Sequence, residues 1–298
     1  MEEVFHTPVL LPEVIEGLKV RRGKKYIDAT LGGGGHGIEI IKMGGRVLGI
    51  DVDEEAIGYV KEKIKSQPFD FAQGRKSKVK TGQDLILVKG NFRDIGEIAR
   101  TNGFERVAGI IFDLGVSSHQ LNRAERGFSF QKEGPLDMRM DKALSVTAAD
   151  LINGLYKNEL IYIFEKFGEE RLARRIADAI ISARAIKRIE TTGELAAIIE
   201  KVSPKRGKIH PATRVFQALR IAVNDELESL ERGLLQAKEL LEKGGRIVAI
   251  SFHSLEDRIV KRSFAGGELL KKPITASVQE IALNPKARSA KLRIYAKN

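Results

Sequence analysis

The sequence predicts an α/β protein: a doubly wound, mostly parallel sheet interrupted by an all-helical insertion. Three patterns carry that expectation. Short apolar runs alternate with helical periods over roughly the first hundred residues, which is how βαβ units read. Near residue 143 the alternation stops and helical periods follow one another. A buried strand pattern then returns at Arg246–Phe252. The expected division gives 1–115 and 210–298 to the sheet domain and 116–209 to the insertion, and two domains suit a chain of 298 residues.

Lys25–Thr30 reads as the first strand, Arg46–Asp51 as the second and Leu85–Lys89 as the third, with Glu54–Lys65 helical between the last two. Ser66–Gln83 is polar, basic and glycine-containing, a solvated loop, with RNA contact as its functional alternative. Val107–Phe112 is an unbroken apolar run, as expected of a strand covered on both faces. Ala148–Leu155, Asn158–Phe167 and Glu169–Ala185 read as helices. In the last, Leu172, Ile176, Ala179, Ile180 and Ala183 share one apolar face. Thr191-Thr-Gly-Glu194 matches a capping box and opens a helix to about Val202. Ser203–Pro211 is a linker broken by Pro and Gly. Ala212–Glu242 is mostly helical and ends at Gly244-Gly245, read as a C-cap. Leu255–Phe264 is a short helix, and Lys291–Ala296 alternates like a terminal strand.

A net charge of +11 suggests an anionic partner, nucleic acid or acidic membrane, with a lysine-rich soluble surface as an equal alternative. Residues 171–214 hold 11 Lys and Arg against 4 Asp and Glu, so +7 of the +11 falls near the proposed insertion. The absence of cysteine excludes disulfides, cysteine-ligated metals and any thiolate nucleophile, hence attack on a pyrimidine ring carbon through cysteine. The acidic N-terminus lacks a signal-peptide core, and no apolar run approaches the roughly 20 residues of a membrane helix. A soluble, cytoplasmic protein is expected. The oligomeric state is left open, a homodimer being one option.

Asp28-Ala-Thr-Leu-Gly-Gly-Gly-Gly-His-Gly37 lies between the first strand and a short helix. Its glycines let the backbone turn tightly and approach a ligand. Asp51, ending the second strand, is placed to accept hydrogen bonds from ribose hydroxyls. Gly32, Gly34 and Gly37 satisfy G-x-G-x-x-G, which keeps an NAD-linked oxidoreductase open. Asp28 just ahead of the glycines and Asp113 at the end of the fourth strand favour S-adenosylmethionine. A tight turn with no cofactor is the bland alternative. His36 packs on the cofactor or serves the loop; as a lone histidine it is a poor metal ligand, and no metal is expected.

Ligands of open α/β sheets bind beyond the carboxyl ends of the strands. The segment from Asp113-Leu-Gly-Val-Ser-Ser118 to Asp141 lies there and is too rich in Gly, Ser, Asp and Arg for a core. Phe128 and Phe130 offer ring faces to a flat ligand, or anchor a core. Asp137, Arg139 and Asp141 orient a substrate loop, or simply pair with one another. His253 and Glu256 follow the Ile247–Phe252 strand, where one accepts a proton or both shape the pocket.

Taken together, these motifs resemble the bacterial methyltransferases that modify the N4 amino group of a cytosine in small-subunit 16S ribosomal RNA. The resemblance rests on His6-Thr-Pro-Val-Leu10, Gly32–His36, Asp113–Ser118, Arg126-Gly-Phe-Ser-Phe130 and Gly134–Asp141. It continues in His210–Arg220, Ser251–Arg258 and Asn284-Pro-Lys-Ala-Arg-Ser289, and so runs nearly end to end. It implies a class I, Rossmann-like methyltransferase fold, S-adenosyl-L-methionine as cofactor, and 16S ribosomal RNA as partner, held in part by the insertion. It also implies cofactor contacts at Gly34, Gly35, His36, Asp51, Phe92, Asp113 and Gln120. Asp113 then faces the target amine, with His253 the candidate proton acceptor. The chain departs from the family in a longer Ser66–Gln83 and a shorter stretch between Phe264 and Asn284. Where many amino methyltransferases follow an acid or amide with Pro-Pro-aromatic, it has Asp113-Leu-Gly-Val.

Overall fold

The computed structural model describes residues 8–66, 82–203 and 210–298, and the backbone of 69–71 and 75–77. His6 and Thr7, most of the 66–83 stretch, and 204–209 of the expected linker lie outside the described residues. The chain forms two compact units, Met1–Ser117 with Leu227–Asn298, and Ser118–Glu226.

The first unit opens with α1 (Leu11–Leu18), β1 (Lys25–Asp28), α2 (Gly35–Lys42), β2 (Arg46–Asp51) and α3 (Glu54–Ser66). The short strands β3 (Phe69–Phe71) and β4 (Arg75–Ser77) follow, then β5 (Leu85–Lys89), α4 (Ile95–Thr101) and β6 (Val107–Asp113). The second unit holds α5 (Ser118–Asn122), α6 (Ala148–Gly154), α7 (Lys157–Gly168), α8 (Ala173–Arg184), α9 (Thr192–Val202) and α10 (Ala212–Asn224). The chain returns through α11 (Glu226–Leu240), β7 (Leu241–Ser251), α12 (Ser254–Phe264), α13 (Val278–Leu283) and β8 (Lys291–Ala296).

The sheet runs β5-β2-β1-β6-β7-β8. Every neighbouring pair is parallel except β7 with β8. The chain builds outward from β1 to β5, then crosses to β6 on the other side of β1. The switch of direction leaves a crevice between the carboxyl ends of β1 and β6. Successive side chains of a strand alternate in face, and here both faces are buried. Ile27, Leu48, Ile110, Phe112, Ile247 and Ala249 fill one core. Tyr26, Val47, Ile111, Val248 and Ile250 fill the other. That is why these strands read as continuous apolar runs.

In the helical unit, Leu160, Phe164, Ile176, Ile180, Val215 and Leu219 are fully buried. The expected return boundary at 210 precedes α10, which belongs to this unit. Gly168 lets α7 press against the Arg214 carbonyl, 2.7 Å from where a Cβ would stand, and Gln217 donates to the Phe167 carbonyl at 3.0 Å. The capping box at Thr191 is present: its hydroxyl accepts from the Glu194 N–H, and the Glu194 carboxylate accepts from the Thr191 N–H.

Three expectations need correction. The 66–83 stretch contains an antiparallel pair, β3 with β4, rather than loop alone. The helix expected from Glu169 starts at Ala173, because Glu169 takes the left-handed conformation that ends α7. Gly244-Gly245 is not a helix C-cap: α11 ends at Leu240, and the glycines sit inside β7, where its register against β6 shifts. Among the described residues no helix is long and apolar enough to cross a membrane.

Candidate active site

Three carboxylates end three adjacent strands: Asp28 on β1, Asp51 on β2 and Asp113 on β6. Backbone N–H groups hold the first two. Gly32 N donates to Asp51 Oδ2 at 2.7 Å and Asp53 N to its Oδ1 at 2.9 Å. Thr30 N donates to Asp28 Oδ1 at 3.3 Å, while the Thr30 hydroxyl accepts from Asp113 N at 2.6 Å. Thr30 thereby ties the ends of β1 and β6 together. Burial pushes Asp28 up to about 7, against the Thr30 N–H and with help from the charges of Asp113 and Asp51. Burial likewise pushes Asp51 up to about 6, against the N–H groups of Asp53 and Gly32. An acidic crevice of this kind favours a cationic ligand, which would restore the ionised carboxylates.

The glycine loop closes over the crevice. Gly34 caps α2 at φ 72°, a conformation that costs a residue with a Cβ. A Cβ on Gly35 would lie 2.9 Å from the Pro8 ring, so only bare backbone fits there. His36 is buried in the first turn of α2, and its Nε2 lies 3.1 Å from the Val9 carbonyl. A carbonyl only accepts, so Nε2 carries the proton. Nδ1 stands 3.7 Å from Asp113 Oδ2, where attraction requires a second proton on the ring. Phe92 opens a single 3-10 turn after β5 and meets Phe112 edge to face at 5.7 Å.

Residue type alone does not mark Lys286, yet it belongs to this edge. Burial pushes its ammonium down to about 8, while the Asp113 carboxylate draws it the other way. Its only signal in the sequence is membership of Asn284–Ser289, far along the chain from Asp113.

His253 has a defined structural task as the N-cap of α12. Phe252 N and His253 N donate to Glu256 Oε2 at 2.8 and 3.3 Å, and Glu256 N donates to His253 Nδ1 at 3.4 Å. Nδ1 as acceptor places the ring proton on Nε2. Nε2 lies 3.1 Å from Glu256 Oε1, but out of line for a hydrogen bond. The ring's lone pair is thus spent on the helix.

The remaining residues belong to the helical unit. Gln120 is buried on α5. Phe128 is buried, a core anchor rather than an exposed platform, and Phe130 already stacks on His210 at 4.4 Å. Asp137 and Arg139 form a two-pronged pair at 2.8 Å, and the buried Arg126 donates to the carbonyls of Arg139 and Met140. Asp141 accepts from the Ala143 N–H at 3.0 Å. These charges fold their own loop.

Residues 3–269 match the MraW methylase family. The chain belongs to that family. Two relatives from Persephonella marina and Carboxydothermus hydrogenoformans are 48% and 46% identical to it. The alignments cover 98% of this chain in both cases and 98% and 97% of the relatives, each named ribosomal RNA small subunit methyltransferase H. An MraW methylase is an enzyme that takes its methyl group from S-adenosylmethionine, and the site suits that donor. Its sulfonium and ammonium are cations, which three carboxylates at adjacent strand ends would attract. Family membership, not the carboxylates, removes the oxidoreductase reading that the glycine pattern left open.

Proposed function

We propose that this MraW methylase transfers a methyl group from S-adenosylmethionine to the N4 amine of a cytosine in 16S ribosomal RNA, within the small subunit. The observation that carries the reading is family membership across residues 3–269 with an intact carboxylate crevice at its centre. Such a subunit partner supports a cytoplasmic location.

When bound, the cofactor supplies an electrophilic methyl on its sulfonium. Asp51 holds the ribose hydroxyls, Phe92 flanks the adenine, and Gly34 and Gly35 let the backbone approach. His36 braces the glycine loop against the Val9 carbonyl. Asp28, once ionised, faces the donor's ammonium. The exocyclic amine is a weak nucleophile because its lone pair is shared with the ring. Asp113 would accept from its N–H, orient the nitrogen toward the methyl donor and favour the positive charge that develops. Positioning and electrostatics do most of this work. His253 acts through α12 as a positioning residue, since its lone pair caps the helix.

RNA binding has support in the helical unit. Arg171, Arg174, Arg175 and Lys201 are exposed and have no carboxylate partner among the described residues. Free cations on one segment suit a phosphate backbone.

The decisive assay transfers labelled methyl to unmodified small subunits, with naked 16S RNA in parallel, followed by mass spectrometry of the nucleosides. N4-methylcytidine at one position is expected. A different methylated nucleoside, or no transfer despite measured cofactor binding, overturns the reading.

A further inference from the structure

The sheet edge that carries Asp113 has a neighbouring cavity of about 280 Å³. Its lining includes Phe252, Ser254, Thr275, Arg288, Ser289 and Lys291, cations and hydroxyls with no carboxylate among them. The charges nearby are unequal in what they have to offer. Lys291 shares Asp257 with Arg293, at 3.2 and 2.7 Å, and Arg293 also holds Glu268 at 2.7 Å. Two cations and two acids balance there. Arg288 is exposed and has no carboxylate partner among the described residues, so its charge is uncompensated. Thr275 and Ser289 are also exposed, with hydroxyls that make no hydrogen bond among the described residues.

Phe252 joins this cavity to the reaction loop. It lines the cavity, and its ring lies 3.5 Å from where a Cβ of Gly115 would stand, two residues beyond Asp113. RNA carries one phosphate per nucleotide. A base delivered to Asp113 therefore brings the phosphates of its neighbours to this same edge. An unpaired guanidinium offers a forked donor to phosphate oxygens, and the two hydroxyls suit the adjoining ribose.

We propose that the Arg288 cavity is a subsite for one backbone phosphate of a nucleotide flanking the target cytosine. The inference rests on the RNA-methylation reading above. It is tested by steady-state methyl transfer over a salt series with wild type, Arg288→Gln and the double variant Thr275→Val/Ser289→Ala. Arg288→Gln is expected to raise KM for RNA about tenfold, and to lower the slope of log affinity against log salt by about 1. KM for S-adenosylmethionine should stay at the wild-type value. The double variant should raise KM for RNA without changing the salt slope. A neutral methylphosphonate placed at the flanking linkage of an RNA substrate should reproduce the Arg288→Gln defect in wild type and add nothing to it in the variant.

Wild-type KM and slope in Arg288→Gln overturn the subsite. So does a matching rise in cofactor KM, which would assign the cavity to the cofactor. If free inorganic phosphate is the natural occupant, the methylphosphonate changes nothing and the proposal fails. A wild-type enzyme that methylates no RNA indicts the function instead, so the two failures are distinct.

Discussion

Asp113 is bound to the fold through its backbone, since its N–H reaches the Thr30 hydroxyl while its side chain faces the crevice. Asp113→Asn keeps that backbone bond and removes the charge. Turnover is expected to fall roughly 100- to 1000-fold, the size of one preorganised electrostatic interaction. The unfolding midpoint should move little, and a thermal melt beside the methyl-transfer assay checks both. Asp28 makes a different prediction. Its carboxyl is raised from 3.8 to about 7 in the folded chain, so the folded state holds that proton more tightly than the unfolded one. The resulting stabilisation is complete below 3.8 and is lost as pH rises through about 7. Unliganded protein should therefore melt lower at pH 8 than at pH 5, with a weaker pH dependence in Asp28→Asn. Ionisation over the same range should strengthen binding of the cationic cofactor, so the melting shift it induces should grow with pH. A cofactor-induced shift independent of pH would falsify the role given to Asp28. Of these residues, the sequence displays Asp28, Asp51 and Asp113 because each ends an apolar run. It does not display Thr30 or Lys286, whose roles arise only when β6 comes beside β1 and Asn284–Ser289 comes near Asp113.

The elements are legible to the extent that their signals are local. Arg46–Asp51, Leu85–Lys89 and Lys291–Ala296 form strands over the expected residues. The Thr191 capping box is a pattern of four residues that needs no tertiary context. Thr191→Ala should cost about 1 kcal/mol, a typical effect of removing an N-cap, and denaturant unfolding would read it as a lower midpoint at unchanged slope. A midpoint equal to wild type would mean that tertiary packing alone holds α9. Gly244-Gly245 misleads because two glycines after a helix signal a cap. Here the helix ends earlier and β7 pairs with β6 on both sides of the irregularity. His253 is the reverse case: a titratable residue at the sheet edge suggests chemistry, whereas the capping box it forms with Glu256 engages its ring locally.

At the scale of the whole molecule, charge is the clearest property of the sequence, and it predicts behaviour that no single pair of residues does. The surplus in residues 171–214 is only partly neutralised: Lys187 pairs with Glu194 and Arg188 with Asp150, while Arg171, Arg174 and Arg175 stay open. RNA affinity should fall steeply with salt. Arg171→Gln/Arg174→Gln/Arg175→Gln should reduce the logarithmic salt slope by roughly 3, about one for each phosphate no longer neutralised. Filter binding across a salt series measures it, and an unchanged slope would remove this face from the interface. The boundary of the helical unit is less legible. Pro211 looks like the exit, yet α10 beyond it buries Val215 and Leu219 in the helical core. Only packing, not punctuation in the sequence, assigns that helix.

The insertion also sets an order of events at the ribosome that makes this chain. β6 lies in the middle of the finished sheet, but its partner β7 is separated from it by the entire helical unit, as in the pairing of Asp113 with Ile250. During synthesis β1, β2, β5 and β6 emerge first, and β6 stands as an open edge while Ser118–Glu226 is translated. The helical unit, rich in interactions between near neighbours in sequence, closes early; the sheet waits for its last third. A nascent chain stalled before Leu241 would carry Asp113 on a strand paired on one side only. The strand that presents Asp113 is thus completed only when the last quarter of the chain has been made.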